Sequence, residues 1–456
     1  MKLAVEIIGC LYFACVGCSA SLWAGIVGLE RQDPDIGAWA LEFLQQNQNL
    51  FDESSRLYSE GKLVECREAL SKLRESNKAL PQPDLVIVWL LLSDRKLEDA
   101  KARLESLAAL VPRDPQVTMT LGQVAIAEQR FADAAAQLER AALLQLPEAW
   151  TQKQRSDFAF QIFRCLAITY ERQGRWADLK PILGSLIRLD HQNPSYLVRL
   201  ALAHFNLSET KEAEALLENA ARMTGGATPP QLLLAEVAFC AGRLPEAEAA
   251  INEARKIHNS NFNVHLWHAE WKLFHADCAE AEASLATAQR LGTSSSRFWV
   301  PQGQMHLMKG EYSQAVQAFR KALSELANEN DRSREVAISN LLAIALTCSQ
   351  QDLENIEAIS IAEKNAVKHA TDPFLVGSLG WIYLKSGRHD EAKQLLTRAA
   401  QISNQISSDL SYFLAEFYYS ANEPSIAKPF LQGAMEGTTG IFLMKASASE
   451  LAAQHK

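Results

Sequence analysis

The sequence predicts an all-α fold, a solenoid of about ten or eleven helix-turn-helix repeats. Three observations predict it: a 34-residue period in small side chains, a large apolar residue at a fixed place within each period, and glycine where the first helix of each pair should end. Small residues stand at Ala167, Ala201, Ala235, Ala269 and Gly303, each 34 positions after the last. A second series lies twelve residues further on, at Ala213, Ala247, Ala281 and Ala315, and a third seven later, at Ala220, Ala254, Ala288 and Ala322. Between the second and third comes Leu217, Ile251, Leu285 or Phe319. The register returns at Gly122, Ala134, Leu138, Ala141, at Gly380, Ala392, Leu396, Ala399, and at Ala415, Ala427, Leu431, Ala434.

The pattern has a mechanical cause. Two short helices lie close only where small side chains occupy the points at which their axes approach, with larger residues filling the grooves between. Gly174, Gly242, Gly310 and Gly387 fall seven residues after the first small residue, where the helix must end and a left-handed cap suits glycine. Each period therefore reads as helix, tight turn, helix.

Segments such as Leu379-Gly380-Trp381-Ile382-Tyr383, followed by Ala392 and Ala399, resemble the tetratricopeptide-repeat (TPR) family. The resemblance covers residues 51–440 and implies a right-handed superhelix whose first helices line a concave side. Several repeats depart from the pattern. In the first, around Leu57 to Pro81, Cys66 stands where alanine is usual; the second keeps Ala100 and Leu104 in register. The fourth has Leu179 and Leu186 at small positions and Pro181 within its second helix, where a bend is expected, and residues 148–159 form an insertion before it. The ninth, near Leu341 to Pro373, is out of register by a few residues. The chain also resembles, more narrowly, the long TPR proteins of bacterial envelopes, including those associated with exopolysaccharide export.

The termini read differently. From Ile7 to Leu29 the chain is uncharged and mostly apolar, long enough to span a bilayer as a helix. Lys2 precedes the run while Glu30, Arg31, Asp33 and Asp35 follow, which places the N-terminus in the cytoplasm and the body outside it. Residues 1–29 are therefore expected to be a membrane anchor or signal segment. Cys15-Val16-Gly17-Cys18 resembles a lipoprotein box, so lipidation at Cys18 is the alternative. Residues 30–50 read as a juxtamembrane helical linker, and 441–456 as a C-terminal capping helix and tail, with apolar Ile441, Leu443, Met444 and Leu451 facing the last repeat.

Composition narrows the function. Of 456 residues, 48% are hydrophobic and 22% charged, which supports a packed core rather than disorder. The formal net charge is −9 and no face gathers Lys and Arg, so nucleic acid is not an expected partner. Three of the eight cysteines lie in the N-terminal run; Cys66, Cys165, Cys240, Cys278 and Cys348 are scattered and read as small apolar residues. No phosphate loop, dinucleotide fingerprint or nucleophile elbow is present, and the repeats leave no room for a catalytic domain. No enzyme, cofactor or small-molecule substrate is expected. His265 and His268 share a helix face but fall at packing positions, which favours interhelix contact over metal.

The expected function is a non-catalytic scaffold at the cell envelope that binds protein partners on its concave side. The alternative is an assembly factor for polysaccharide export or secretion, with aromatic rings meeting sugars. Carried over from the family register, the inward positions are held by Val198, Leu202, Phe205, Leu232, Glu236, Phe239, Leu266, Glu270, Leu273, Phe274 and Trp381, with Tyr412 and Tyr419 in the last repeat. Phe205, Phe239 and Phe274 would form a ladder flanked by acidic Glu236 and Glu270, suited to a partner with apolar anchors and basic flanks. The Lys, Arg and Asn set with which some TPR proteins clamp a C-terminal carboxylate is missing from these positions.

Overall fold

The computed structural model describes residue 44 and residues 47–455, apart from 95, 293–295, 328–331, 350–351, 404 and 438–439. The expected anchor at 1–29, with Cys18, and most of the 30–50 linker lie outside the described residues. Among those described, all regular structure is helical and no helix is long and apolar enough to cross a membrane.

Eleven hairpins follow one another among the described residues. They are α1 (Gln48–Ser59) with α2 (Leu63–Ser76), α3 (Pro83–Ser93) with α4 (Leu97–Leu110), α5 (Pro115–Ala127) with α6 (Phe131–Leu143), and α7 (Gln152–Gln173) with α8 (Trp176–Leu189). Next come α9 (Pro194–Asn206) with α10 (Thr210–Met223), α11 (Pro230–Cys240) with α12 (Leu244–Ile257), α13 (Phe262–Phe274) with α14 (Cys278–Arg290), and α15 (Ser296–Lys309) with α16 (Tyr312–Leu326). The array ends in α17 (Arg332–Ser349) with α18 (Asp352–Lys368), α19 (Pro373–Lys385) with α20 (His389–Ile402), α21 (Ser408–Ser420) with α22 (Pro424–Glu436), and a last single helix, α23 (Lys445–Gln454). The described residues divide into two compact units between Leu216 and Leu217, within α10.

The small-residue register is the packing register. Ala235, Ala247, Ala254, Ala269, Ala281 and Ala288 are each 0% exposed. At the glycine positions the fit is closest: a Cβ added to Gly122 would stand 2.7 Å from Leu138 Cγ, one on Gly380 3.0 Å from Leu396 Cγ, and one on Gly303 2.5 Å from the Phe319 ring. The large residue of the second helix rests directly on the backbone of the first. Full burial of such a side chain contributes roughly 1.5–3 kcal/mol.

The hairpin turns that are fully described share one geometry. Gly174, Gly242, Gly310 and Gly387 have φ between +66° and +80°. Where the register offers no glycine, Gln129, Ser208, Ala276 and Asn422 adopt the same conformation, with φ from +57° to +64°. The next amide then closes back on the helix, as in Arg243 N–H to Ala238 O at 2.8 Å and Asp277 N–H to Lys272 O at 2.8 Å.

The irregular repeats are accommodated by helix length. The insertion before the fourth repeat extends α7 to 22 residues, started by a capping box between Thr151 and Gln154 and pinned by Trp150 edge-on to Phe158 at 5.3 Å. α8 runs unbroken through Pro181, with Leu179, Leu183 and Leu186 fully buried. The ninth hairpin carries its extra residues as an 18-residue α17 and a 17-residue α18. In the first, Cys66 is 0% exposed and its thiol donates to Ser54 O at 3.2 Å.

Candidate functional site

The first helices carry the expected inward positions. In the unit ending at Leu216, Val198, Leu202 and Phe205 on α9 are buried, Phe205 to 2% exposure. In the unit beginning at Leu217, Leu232 and Phe239 on α11 and Leu266 and Leu273 on α13 are buried as well, while Phe274 is half-buried. Phe239 and Phe274 do meet, edge to face at 5.5 Å. The residue that joins them is Trp271, stacked on Phe274 at 5.9 Å and edge-on to Phe239 at 6.4 Å. With Trp271 1% exposed and Phe239 5%, these rings form an interhelix packing cluster that leaves little area for a partner. Trp271 follows Glu270 in sequence and sits outside the family's inward positions, which is why the register did not single it out.

Glu236 and Glu270 occupy equivalent places on α11 and α13 and are 3% and 8% exposed. Neither oxygen of Glu236 accepts a hydrogen bond, nor does Oε2 of Glu270. Burial pushes both carboxyls up to about 8, with the Arg297 guanidinium opposing it for each and Arg334 also for Glu270. Near neutral pH both are held chiefly as neutral acids, so the acidic flank expected from the sequence is withheld.

The third glutamate at this register position, Glu416 on α21, has partners. Its Oε2 accepts the Trp381 indole N–H at 2.6 Å and its Oε1 accepts from Lys385 Nζ at 2.5 Å. Trp381 is 1% exposed and stacks on Phe413 at 5.0 Å, so this inward aromatic is also committed to its neighbours. Glu416 and Lys385 escaped the sequence reading, although the position of Glu416 directly after Ala415 repeats that of Glu236 after Ala235.

The histidines are interhelix links. His268 Nε2 lies 2.8 Å from Arg255 Nη1 and must accept from it, which leaves Nδ1–H to donate to Ser284 Oγ at 2.7 Å. Burial and the Arg255 charge lower its pKa to about 4, in keeping with a neutral ring. His265 Nε2 lies 2.7 Å from Asn259 O, to which it donates.

The remaining feature of these helices is α23. It packs against α22 and also against α15, far back along the chain. Ser447 meets the Tyr312 phenol at 3.0 Å, Lys445 Nζ donates to Ala276 O at 3.4 Å, and His455 stacks on Tyr419 at 3.8 Å. Ahead of it the Met444 amide donates to Asp409 Oδ1 at 3.0 Å.

Tetratricopeptide-repeat models match residues 85–152, 198–262, 272–331 and 383–437, more than half of the chain. The chain belongs to the tetratricopeptide-repeat family. Much of the fourth and ninth hairpins, which hold the three longest of the described helices, falls between the matched TPR segments. Among solved structures the TPR chain is similar to one from the APC/C hetero-tetramer Cut9-Hcn1, at 14% identity over 95% of each chain and a TM-score of 0.41. It is similar also to yeast Tom70, at 11% identity over 90% of this chain and 99% of that one with a TM-score of 0.34, and to the type IV pilus biogenesis factor PilW, at 13% over 48% and 96% with a TM-score of 0.36. No curated protein matches the sequence. A TPR array is a scaffold for protein-protein interaction, and its partners are proteins.

Proposed function

We propose that this TPR protein is a non-catalytic scaffold held at the cell envelope by its N-terminal apolar run, with the repeats outside the cytoplasm and engaging protein partners through the first-helix side. The observation that carries the reading is continuity. Helix hairpins follow one another from Gln48 to Glu436, and no other domain stands among the described residues. Anchoring is supported by the uncharged stretch Ile7–Leu29 and the charge distribution around it. Sugar contact would need exposed ring faces, and Trp381, Trp271 and Phe239 are all buried, which favours protein over glycan.

Affinity capture of the full chain in mild detergent tests the scaffold. Co-purifying protein is the expected outcome; glycan bound without protein would favour the export-factor alternative. For the anchor, a chain lacking residues 1–29 should leave the membrane fraction, and continued membrane partitioning would remove that part of the proposal. Lipid labelling lost on Cys18→Ser would identify the lipoprotein form.

A further inference from the structure

The segment Ile441–His455 lies against α15, the start of α16, α21 and the turns at Ala276 and Gly310, all in the unit that begins at Leu217. The lead-in is an apolar run, with Phe442, Leu443 and Met444 at 8%, 3% and 1% exposure and Ile441 against two separate apolar clusters. Asp409, 5% exposed at the start of α21, receives the Met444 amide and faces that of Leu443, so a buried carboxyl reads the backbone where α23 begins. The helix that follows presents small residues. A Cβ added to Gly310 would stand 3.4 Å from Ala446 Cβ, Ser447 faces the Tyr312 and Tyr412 phenols, and Ala448 is 0% exposed.

The attachment is thin. Beyond Met444, Leu451 is the one large side chain that α23 buries among the described residues, and its side-chain links to the body are the Ser447 hydroxyl to the Tyr312 and Tyr412 phenols, one lysine to a carbonyl and one ring stack. Ten residues are too few to hold a helix in water, so α23 persists only while the groove holds it and should leave as a unit. Its tether supplies an effective concentration on the order of millimolar, which a partner must overcome.

We propose that residues 440–455 are a displaceable internal ligand, and that the surface formed by α15, the start of α16 and α21 is the docking groove for a partner segment of the same form. That segment has three or four consecutive large apolar residues followed by a short helix with one face of small side chains. The inference rests on the scaffold reading and assigns its groove and the class of partner. Release of α23 is then the step that exposes the groove.

The probe is a fluorescent peptide of residues 440–456 added to the full chain. Ala448→Glu places a carboxylate where no space exists and should expel α23, so this variant is expected to bind the peptide at least tenfold more tightly than the natural chain. A chain with Gly310→Cys and Ala446→Cys, oxidised to lock α23 in place, should bind none until reduced, since a Cβ at Gly310 stands 3.4 Å from Ala446 Cβ, close enough for a disulfide. A folded Ala448→Glu chain that binds no better than the natural one would overturn the proposal. Should that variant fail to fold, hydrogen exchange on the natural chain decides. Amides of 445–454 should exchange faster than those of α21 and faster still with saturating peptide; equal protection in the two helices would overturn it. A protein partner captured equally by locked and reduced chains would also overturn the groove assignment, while leaving the scaffold reading in place.

Discussion

Gly303 and Phe319 share one space: a Cβ on Gly303 would stand 2.5 Å from the Phe319 ring, against an ordinary contact of 3.4 Å or more. Glycine at this place is thus the complement of the phenylalanine sixteen residues on. Where the second helix has isoleucine or leucine, the small residue is alanine at Ala235 with Ile251 and Ala269 with Leu285 but glycine at Gly122 with Leu138 and Gly380 with Leu396, so the smaller side chain is met by either. Gly303→Ala should therefore destabilise the chain by about 1–3 kcal/mol through overpacking. In the background of Phe319→Leu the same change should cost at least ~1 kcal/mol less, measured as a double-mutant cycle in urea unfolding. Additive losses would show that the two residues do not compete for that volume.

The left-handed turn at Ala276 leads to a second expectation. Its φ of +57° is one that glycine adopts freely at Gly242, and for alanine the conformation costs roughly 1–2 kcal/mol. After the greater chain entropy of glycine is subtracted, Ala276→Gly should stabilise by about 0.5–1 kcal/mol. Gly242→Ala should do the reverse. Thermal unfolding of the two variants should move in opposite directions.

Burial of Phe239 beside Trp271 and Phe274 makes it a core residue. Phe239→Ala should lower stability by roughly 3–5 kcal/mol, as for a large aromatic removed from a packed cluster. The ladder expected from the sequence required a smaller loss together with weakened partner binding. Urea unfolding alongside partner capture distinguishes the two.

The carboxyls of Glu236 and Glu270 titrate near 8 in the folded chain and near 4.5 when exposed. Each has its pKa raised by folding, so the folded chain binds more protons, and the stability this lends is full below about 4.5 and lost as pH rises through 8. The loss should run on the order of 1 kcal/mol per pH unit for each group within that window and level off above it. Asp409, raised to about 7, acts in the same direction. Glu236→Gln and Glu270→Gln should each flatten the fall in melting temperature between pH 6 and 8. A natural chain as stable at pH 8 as at pH 6 would contradict the assignment.

Much of the fold was legible in the sequence because a repeat writes its tertiary contacts as a period. The small residue of the first helix meets the large residue of the second a fixed distance on, so Gly122 with Leu138 and Gly380 with Leu396 are readable without coordinates. The glycine caps were legible for the same reason. The turns at Gln129 and Ala276 were not, because a residue forced into a left-handed conformation by its neighbours carries no sign of it in its own identity.

The functional surface was legible only in part. The register correctly placed Phe239 next to Phe274, but register position says nothing of what lies over a side chain, and Trp271, one residue outside the inward set, helps close that cluster. The three glutamates after Ala235, Ala269 and Ala415 look alike in sequence; only Glu416 finds a lysine and an indole, and only the tertiary structure separates it from two buried acids of which Glu236 accepts no hydrogen bond and Glu270 none at Oε2.

By itself, then, the sequence determined the helices, their pairing and the places where they touch, since each of those contacts joins residues within a repeat or between adjacent ones. The tertiary structure alone decided which surface the chain's own C-terminal segment occupies. Ser447 meets Tyr312 across 135 residues and Lys445 reaches Ala276 across 169, and no period encodes such a contact. The helix that makes it follows the last hairpin and returns to α15, so it is formed once and has no counterpart in the earlier repeats from which a period could be read.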